Sequence, residues 1–154
     1  MVMEIHEDQP LVEPSAAWIR QIYVPVIAQA DLGGSNNYPP YLGVGNVGCG
    51  IRRLPTDYTA MSQCNTALIP GVNGNVTMGF TLNAGGCDEL WTVHTANGNF
   101  AYALVANTLT CVDLVALFPA FFAALVAGDW VRIDITKVVG APAVRVYGLD
   151  MRYT

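Results

Sequence analysis

The feature that most constrains this chain is the alternation in residues 128–154, GDWVRIDITKVVGAPAVRVYGLDMRYT. Val131, Ile133 and Ile135 are apolar, and Arg132, Asp134 and Thr136 between them are polar. A period of two is that of a strand with one face buried and one wet, so a strand is predicted here, not a helix. Gly140-Ala141-Pro142 then supplies a turn, because glycine accepts positive φ and proline cannot donate to a ladder. Val144 and Val146 resume the alternation, and Leu149, Met151 and Tyr153 continue it one residue out of phase. A β-bulge centred on Gly148 would bring both halves back to a single buried face. The stretch is therefore expected to form a C-terminal hairpin, and the chain an all-β, antiparallel β-sandwich of jelly-roll type.

Upstream segments fit the same class. Residues 16–32 read as a strand region in which Trp18, Ile22, Val24 and Val26 share parity and Pro25 imposes an edge or a bend. Residues 33–50, GGSNNYPPYLGVGNVGCG, read as a long irregular loop and so as a contact or binding element. Its candidate contact residues, with the basic pair that follows, are Tyr38, Tyr41, Leu42, Val44, Arg52 and Arg53. Asn73-Gly74 signals a hairpin turn, and residues 75–83 alternate clearly through Val76, Met78, Phe80 and Leu82. Residues 90–95 are expected as a strand, Asn97-Gly98-Asn99 as a second hairpin turn, and residues 100–109 as the returning strand. Residues 111–127, CVDLVALFPAFFAALVA, hold the one candidate helix, starting from Pro119 in its first turn. That segment is apolar on every side, so it is either buried or packed at an interface. Leu117, Phe118, Phe121 and Phe122 are its candidate interface residues.

Charge narrows the partners. The 154 residues are 53 % hydrophobic and 12 % charged, against about 25 % charged in an average soluble domain. One domain of this length buries about 70 % of its unfolded surface without needing staples. So little charge implies that other subunits cover part of the exterior. The net charge is −5 and Lys137 is the sole lysine, which argues against nucleic acid, since phosphate neutralisation needs clustered cations. Glu4, Glu7, Asp8 and Glu13 all precede the first basic residue, Arg20. Residues 1–14 are therefore set apart as an acidic arm, and residues 15–154 as the sandwich domain. Two readings of the arm stand side by side: a disordered terminus, or an extended contact segment on neighbouring subunits. In the second, Val2, Met3, Ile5, Leu11 and Val12 enter grooves while Glu4, Glu7, Asp8 and Glu13 face basic residues. No secretory leader and no span of about 20 apolar residues is recognised, so a soluble protein is expected, not a membrane or secreted one. Cys49, Cys64, Cys87 and Cys111 read as thiols, not a disulfide framework.

Catalytic groupings are sparse. Gly43-Val44-Gly45-Asn46-Val47-Gly48 matches GxGxxG in letters, but it follows Pro39-Pro40 and has no helix after it to meet a pyrophosphate. Ser15, Ser35 and Ser62 lie outside any GxSxG, and only His6 and His94 offer imidazoles. A grouping of His94 with Cys64 or Cys87 is open but unselected. No CxxC or HxxxH spacing occurs, and Asp88-Glu89 is an isolated acidic pair. The expectation is a protein without catalytic residues, metal or cofactor.

The short apolar helix, then Gly128-Asp129-Trp130-Val131-Arg132-Ile133, a turn, and the terminal Tyr147-Gly148-Leu149-Asp150-Met151-Arg152-Tyr153 together resemble jelly-roll structural proteins of tailed-phage virions. Head decoration (cement) proteins and tail-fibre tips of this kind carry such a Gly-Asp turn before the penultimate strand. The resemblance covers residues 75–154. It implies a homotrimer on the capsid exterior that binds the major capsid protein and stabilises the shell. A carbohydrate- or receptor-binding fibre tip is the alternative, with a glycan as partner.

Overall fold

The computed structural model describes residues 19–28 and 41–154. The proposed arm, residues 1–14, and Tyr38 of the contact loop lie outside the described residues. Ten strands and two short helices follow in order: β1 Arg20–Val24, β2 Ile27–Ala28, β3 Tyr41–Leu42, β4 Val47–Arg53, β5 Met61–Pro70, β6 Gly74–Gly85, β7 His94–Leu104, β8 Thr110–Asp113, α1 Leu114–Leu117, α2 Pro119–Ala124, β9 Trp130–Gly140 and β10 Val144–Tyr153. They form two antiparallel sheets. One runs β1-β10-β5-β8, with β3 also on β10; the other runs β2-β4-β9-β6-β7. This interleaving, in which successive strands alternate between facing sheets except at the β6–β7 hairpin, is the winding of a jelly roll. The expected fold class is the observed one.

Alternation explains the core. On β6, Met78, Phe80 and Leu82 are buried while Thr77, Thr81 and Asn83 keep some exposure; on β9, Ile133 and Ile135 are buried between Arg132, Asp134 and Thr136. The facing sheet sends in Cys64, Leu68, Val146, Leu149 and Met151. Each side chain of this size contributes about 1.5–3 kcal/mol on burial. The bulge also sits where the alternation placed it. Pairing of β10 with β5 shifts register between Tyr147 and Leu149. The skipped Gly148 has no room for a Cβ, which would stand 2.4 Å from the Val24 carbonyl oxygen, and its N–H donates to the Tyr23 hydroxyl at 3.1 Å.

Other expectations are corrected. The C-terminal stretch is not a hairpin: β9 pairs with β4 and β6, whereas β10 pairs with β1, β3 and β5. Asn73-Gly74 is likewise no hairpin turn, because β5 and β6 lie in different sheets; the Asn73 side chain instead accepts from the Ala106 N–H at 2.7 Å. Both turns are corners at which a strand leaves one sheet for the other. They lie side by side, since Val144 pairs with Pro70 before the crossing and Val76 with Gly140 after it. At Gly140 the φ of 124° and an approach of 2.5 Å between a would-be Cβ and the Asn75 carbonyl oxygen leave no place for a side chain.

Asn97-Gly98-Asn99 is not a turn either but the middle of β7, opposite Phe80 and its neighbours on β6. Gly98 is there for packing: a Cβ would meet the Phe100 ring at 2.9 Å. The real reversal is residues 86–93, where Asp88 takes φ 67°, so only His94 and Thr95 of the expected 90–95 strand belong to one. Residues 47–50, placed in the long loop by their glycines, open β4. The helix begins at Pro119 as expected, preceded by a separate turn whose N-cap, Asp113, accepts from the Val115 and Ala116 N–H groups.

Gly140→Ala is expected to cost at least about 2 kcal/mol through positive-φ strain and the clash with Asn75. Gly43→Ala, where a Cβ meets only Asn46 Nδ2 at 3.5 Å, should stay within about 0.5 kcal/mol. Urea midpoints at matched slopes measure both.

Candidate functional site

Two of the four thiols are held in ways that suppress their reactivity. Cys64 has no exposure, pairs with Met151 on β10 and faces the core. Burial pushes its thiol well up, and the Asp113 and Asp150 carboxylates push the same way. Cys49 is buried on the outward side of β4, opposite Asp134. Its thiol rises from 9.0 to about 11, first through burial and then through the bonded Asp134 carboxylate. A thiolate nucleophile needs the opposite, a lowered value. Asp134 itself is occupied by Arg132, whose Nε reaches both carboxylate oxygens at 2.8 and 3.0 Å. His94 is half-buried at the start of β7, opposite Ala84. Cys87 and Cys111 are exposed free thiols.

The remaining motifs resolve into structure. Within GxGxxG, Asn46 N–H bonds the Gly43 carbonyl at 3.1 Å and Gly45 N–H bonds that of Lys137 at 2.9 Å; strand β4 follows, not a helix. In Asp88-Glu89 the Glu89 carboxylate accepts from its own turn's Gly86 N–H at 2.8 Å. Among the described residues, no group of three or more His, Cys, Asp or Glu is arranged to hold a metal ion, and no helix is long and apolar enough to cross a membrane. On the outward face of the second sheet a shallow trough of about 430 Å³ is bordered by Thr81, Asn97, Asn99, Thr136 and Val138 over Gly79. Its polar groups are all neutral, so it offers hydrogen bonds and no acid or base.

The predicted contact residues fare unevenly. Tyr41 pairs through its backbone with Arg145, and Leu42 beside it pairs with Val144. Leu42 is 0 % exposed and is therefore a core residue, not a contact residue; its apolar side chain fills the sandwich under β10. Val44 is 61 % exposed, and Arg52 and Arg53 are exposed, Arg53 bonding the Gly128 carbonyl at 3.3 Å. The predicted trimer interface is corrected as well. Phe118, Phe121 and Phe122 are buried within this chain, and Leu117 packs half-buried against the same core. Phe118 stacks edge-on to Phe80 and Phe100, so the two helices plug the open side of the sandwich. An all-apolar segment satisfies its own core before it is available to a neighbour.

One group of the large apolar side chains that remain exposed lies elsewhere. Trp130 opens β9 on its outward face, between Gly85 of β6 and Arg53 of β4. Leu90 and Val93 close over Gly85, where a Cβ would meet the Leu90 carbonyl oxygen at 2.7 Å and Val93 Cγ1 at 3.4 Å. Ile51 stands two residues from Arg53 on the same face, and Val126 heads the turn that leads into Trp130. Trp91 belongs to the same 86–93 reversal. All six are exposed, Leu90 by 79 % and Trp130 by 42 %. Sequence reasoning missed this rim because it took residues 90–95 for a strand with one buried face.

No protein-family model and no curated protein matches the chain. Among solved structures, it is similar over 78 % of its length to the CENP-C cupin domain of Drosophila melanogaster, with 74 % of that chain covered, 12 % identity and a TM-score of 0.19. A second Drosophila melanogaster CENP-C domain structure gives 81 % and 78 % coverage, 11 % identity and a TM-score of 0.17. Superpositions this loose carry no argument, and the fold rests on the strand order itself.

The raised thiols set an alkaline limit. Folding keeps Cys49 and Cys64 protonated after the unfolded chain has begun to ionise, so the unfolded state binds fewer protons and stability falls as pH rises. Urea midpoints should be flat from pH 7 to 8.5 and fall between pH 9 and 11. Cys49→Ala should flatten part of that decline.

Proposed function

We propose that this chain is a structural protein of a virus particle, a capsid decoration (cement) protein that assembles with itself and binds neighbouring major capsid subunits. The reading joins the resemblance of residues 75–154 to phage jelly-roll proteins with one observation that carries it. Ile51 and Trp130 are exposed on the outward face of the second sheet, and Leu90, Trp91, Val93 and Val126 are exposed on the turns beside it. Exposed tryptophan and leucine gathered at one end of a sheet, on a chain with so little charge, are what a subunit contact requires. The rim replaces the helical phenylalanines as the proposed trimer contact. Residues 1–14 remain the proposed second contact, their carboxylates set against basic groups on the shell. No reaction or cofactor enters this function.

A receptor-binding fibre tip is the second reading, favoured by the exposed indole of Trp91, since an aromatic face at the surface can stack on a sugar ring.

Light scattering on the purified chain at low concentration is expected to give a homotrimer, and Leu90→Asp with Trp130→Ala a single chain that melts at nearly the same temperature. The same double variant should lower occupancy on particles about tenfold or more, as losing a buried tryptophan contact does. Deleting residues 1–14 should also weaken particle binding without unfolding the domain. Unchanged mass and occupancy would overturn the decoration reading. Binding on a glycan array that disappears with Trp91→Ala would establish the fibre-tip reading in its place.

A further inference from the structure

The edges of the two sheets are not alike. At one end of the first sheet, β8 is a four-residue strand that runs straight into α1. At the other, β1 is five residues long, carries Arg20 in an ion pair with Asp57, and stops before Pro25. In the second sheet, β2 is two residues long. Short strands, charge and proline are the usual means by which a protein keeps its sheet edges from pairing with strangers.

Strand β7 has none of them. It is eleven residues, HTANGNFAYAL, at the end of its sheet, with no Pro, Lys, Arg, Asp or Glu. It is paired with β6 along its whole length, His94↔Ala84 through Leu104↔Gly74. Among the described residues, no backbone hydrogen bond leaves its other side. Every residue from His94 to Ala103 keeps exposure, including the inward-facing Ala96, Phe100 and Tyr102. Its outward face is Thr95, Asn97, Asn99, Ala101 and Ala103, all small and neutral.

We propose that β7 pairs antiparallel with β7 of a second copy of this chain, about a two-fold axis at Asn99, so that the second sheet continues from one copy into the next. The occupant follows from the strand's own composition. A strand paired with itself places each residue opposite another of its own set, and a charged edge would there meet its own charge. This edge has no charge to oppose. With Asn99 at the centre, full overlap puts Ala96 opposite Tyr102 and Gly98 opposite Phe100 on the inner face. On the outer face Thr95 meets Ala103 and Asn97 meets Ala101. Phe100 and Tyr102 thus each face a small residue and gain cover, while His94 meets the buried Leu104 at the two ends of the overlap. The contact is closed by symmetry and needs no second patch. It adds main-chain hydrogen bonds in the manner of strand addition. It does not depend on the virion reading, since a self-paired edge can serve any assembly.

Sedimentation of the full chain over a concentration series tests it. A unit that doubles in mass with concentration is expected, whatever assembly the apolar rim forms. Asn99→Lys sets two ammonium groups opposite each other at the axis and should raise the doubling midpoint about fivefold or more. Gln63→Lys, on the outward face of the other sheet, should leave it unchanged. Amide exchange of wild type should slow across residues 95–103 on doubling. This last readout needs no variant and also guards against misfolding of Asn99→Lys. No doubling, a doubling indifferent to Asn99→Lys, or exchange across residues 95–103 that ignores concentration would each overturn the proposal.

Discussion

Two adjacent corners hold the molecule together. Strands β5 and β6 run as one length of chain folded over at residues 70–74, and β9 and β10 as another folded at residues 140–144. The two lengths are hydrogen-bonded along their whole course, β10 on β5 in one sheet and β9 on β6 in the other. A paired ribbon bent double in this way faces its own apolar side across a gap of about 10 Å, the thickness of a sandwich core. Every other strand is added to one of its flanks. The bend is possible because the chains touch at the corner itself: Gly140 lies against the Asn75 carbonyl, and Gly74 against the ring of Pro142, where a Cβ would stand 2.9 Å away.

The flanks differ in how they are finished. On the side of β1 and β4 the ion pair of Arg20 with Asp57 ties the first strand to the loop before β5. The carbonyl of the last residue, Thr154, accepts from the Thr59 N–H and Ala60 N–H. On the side of β7 and β8 the sheets part, and Phe118, Phe121 and Phe122 fill the opening against Phe80 and Phe100. That plug consumes the most apolar segment of the chain. Of the large apolar side chains that remain exposed among the described residues, one group lies where Trp130 meets the 86–93 reversal. Function and architecture are linked here by subtraction: what the core does not use is what a partner can.

The single lysine illustrates the same economy. Lys137 is 2 % exposed. Its position continues the inward series of Val131, Ile133 and Ile135 at the end of β9 where the Val44 bridge and the Gly45 N–H close over the strand. Long lysine stems cover apolar surface while the ammonium reaches outward. The sole lysine is thus spent on closing the sandwich.

Local features of the sequence were enough to determine the strand class, the buried parity of β6, β9 and β10, the bulge at Gly148 and the helix start at Pro119. Each depends on side-chain period or on the backbone limits of one residue, and neither needs a distant partner. The partners themselves were not legible. Asn73-Gly74, Gly140-Ala141-Pro142 and Asn97-Gly98-Asn99 carry the same turn chemistry, yet two became corners between sheets and the third runs straight inside a strand. Glycine is called for both by a bend and by a neighbour's ring lying close, as Phe100 lies on Gly98. Likewise Phe121 and Phe122 would be apolar in a core or at an interface, since either removes them from water. Only tertiary packing, which decides which strands meet and what gap remains between them, chose the core for the phenylalanines and left Trp130 and the edge of β7 exposed.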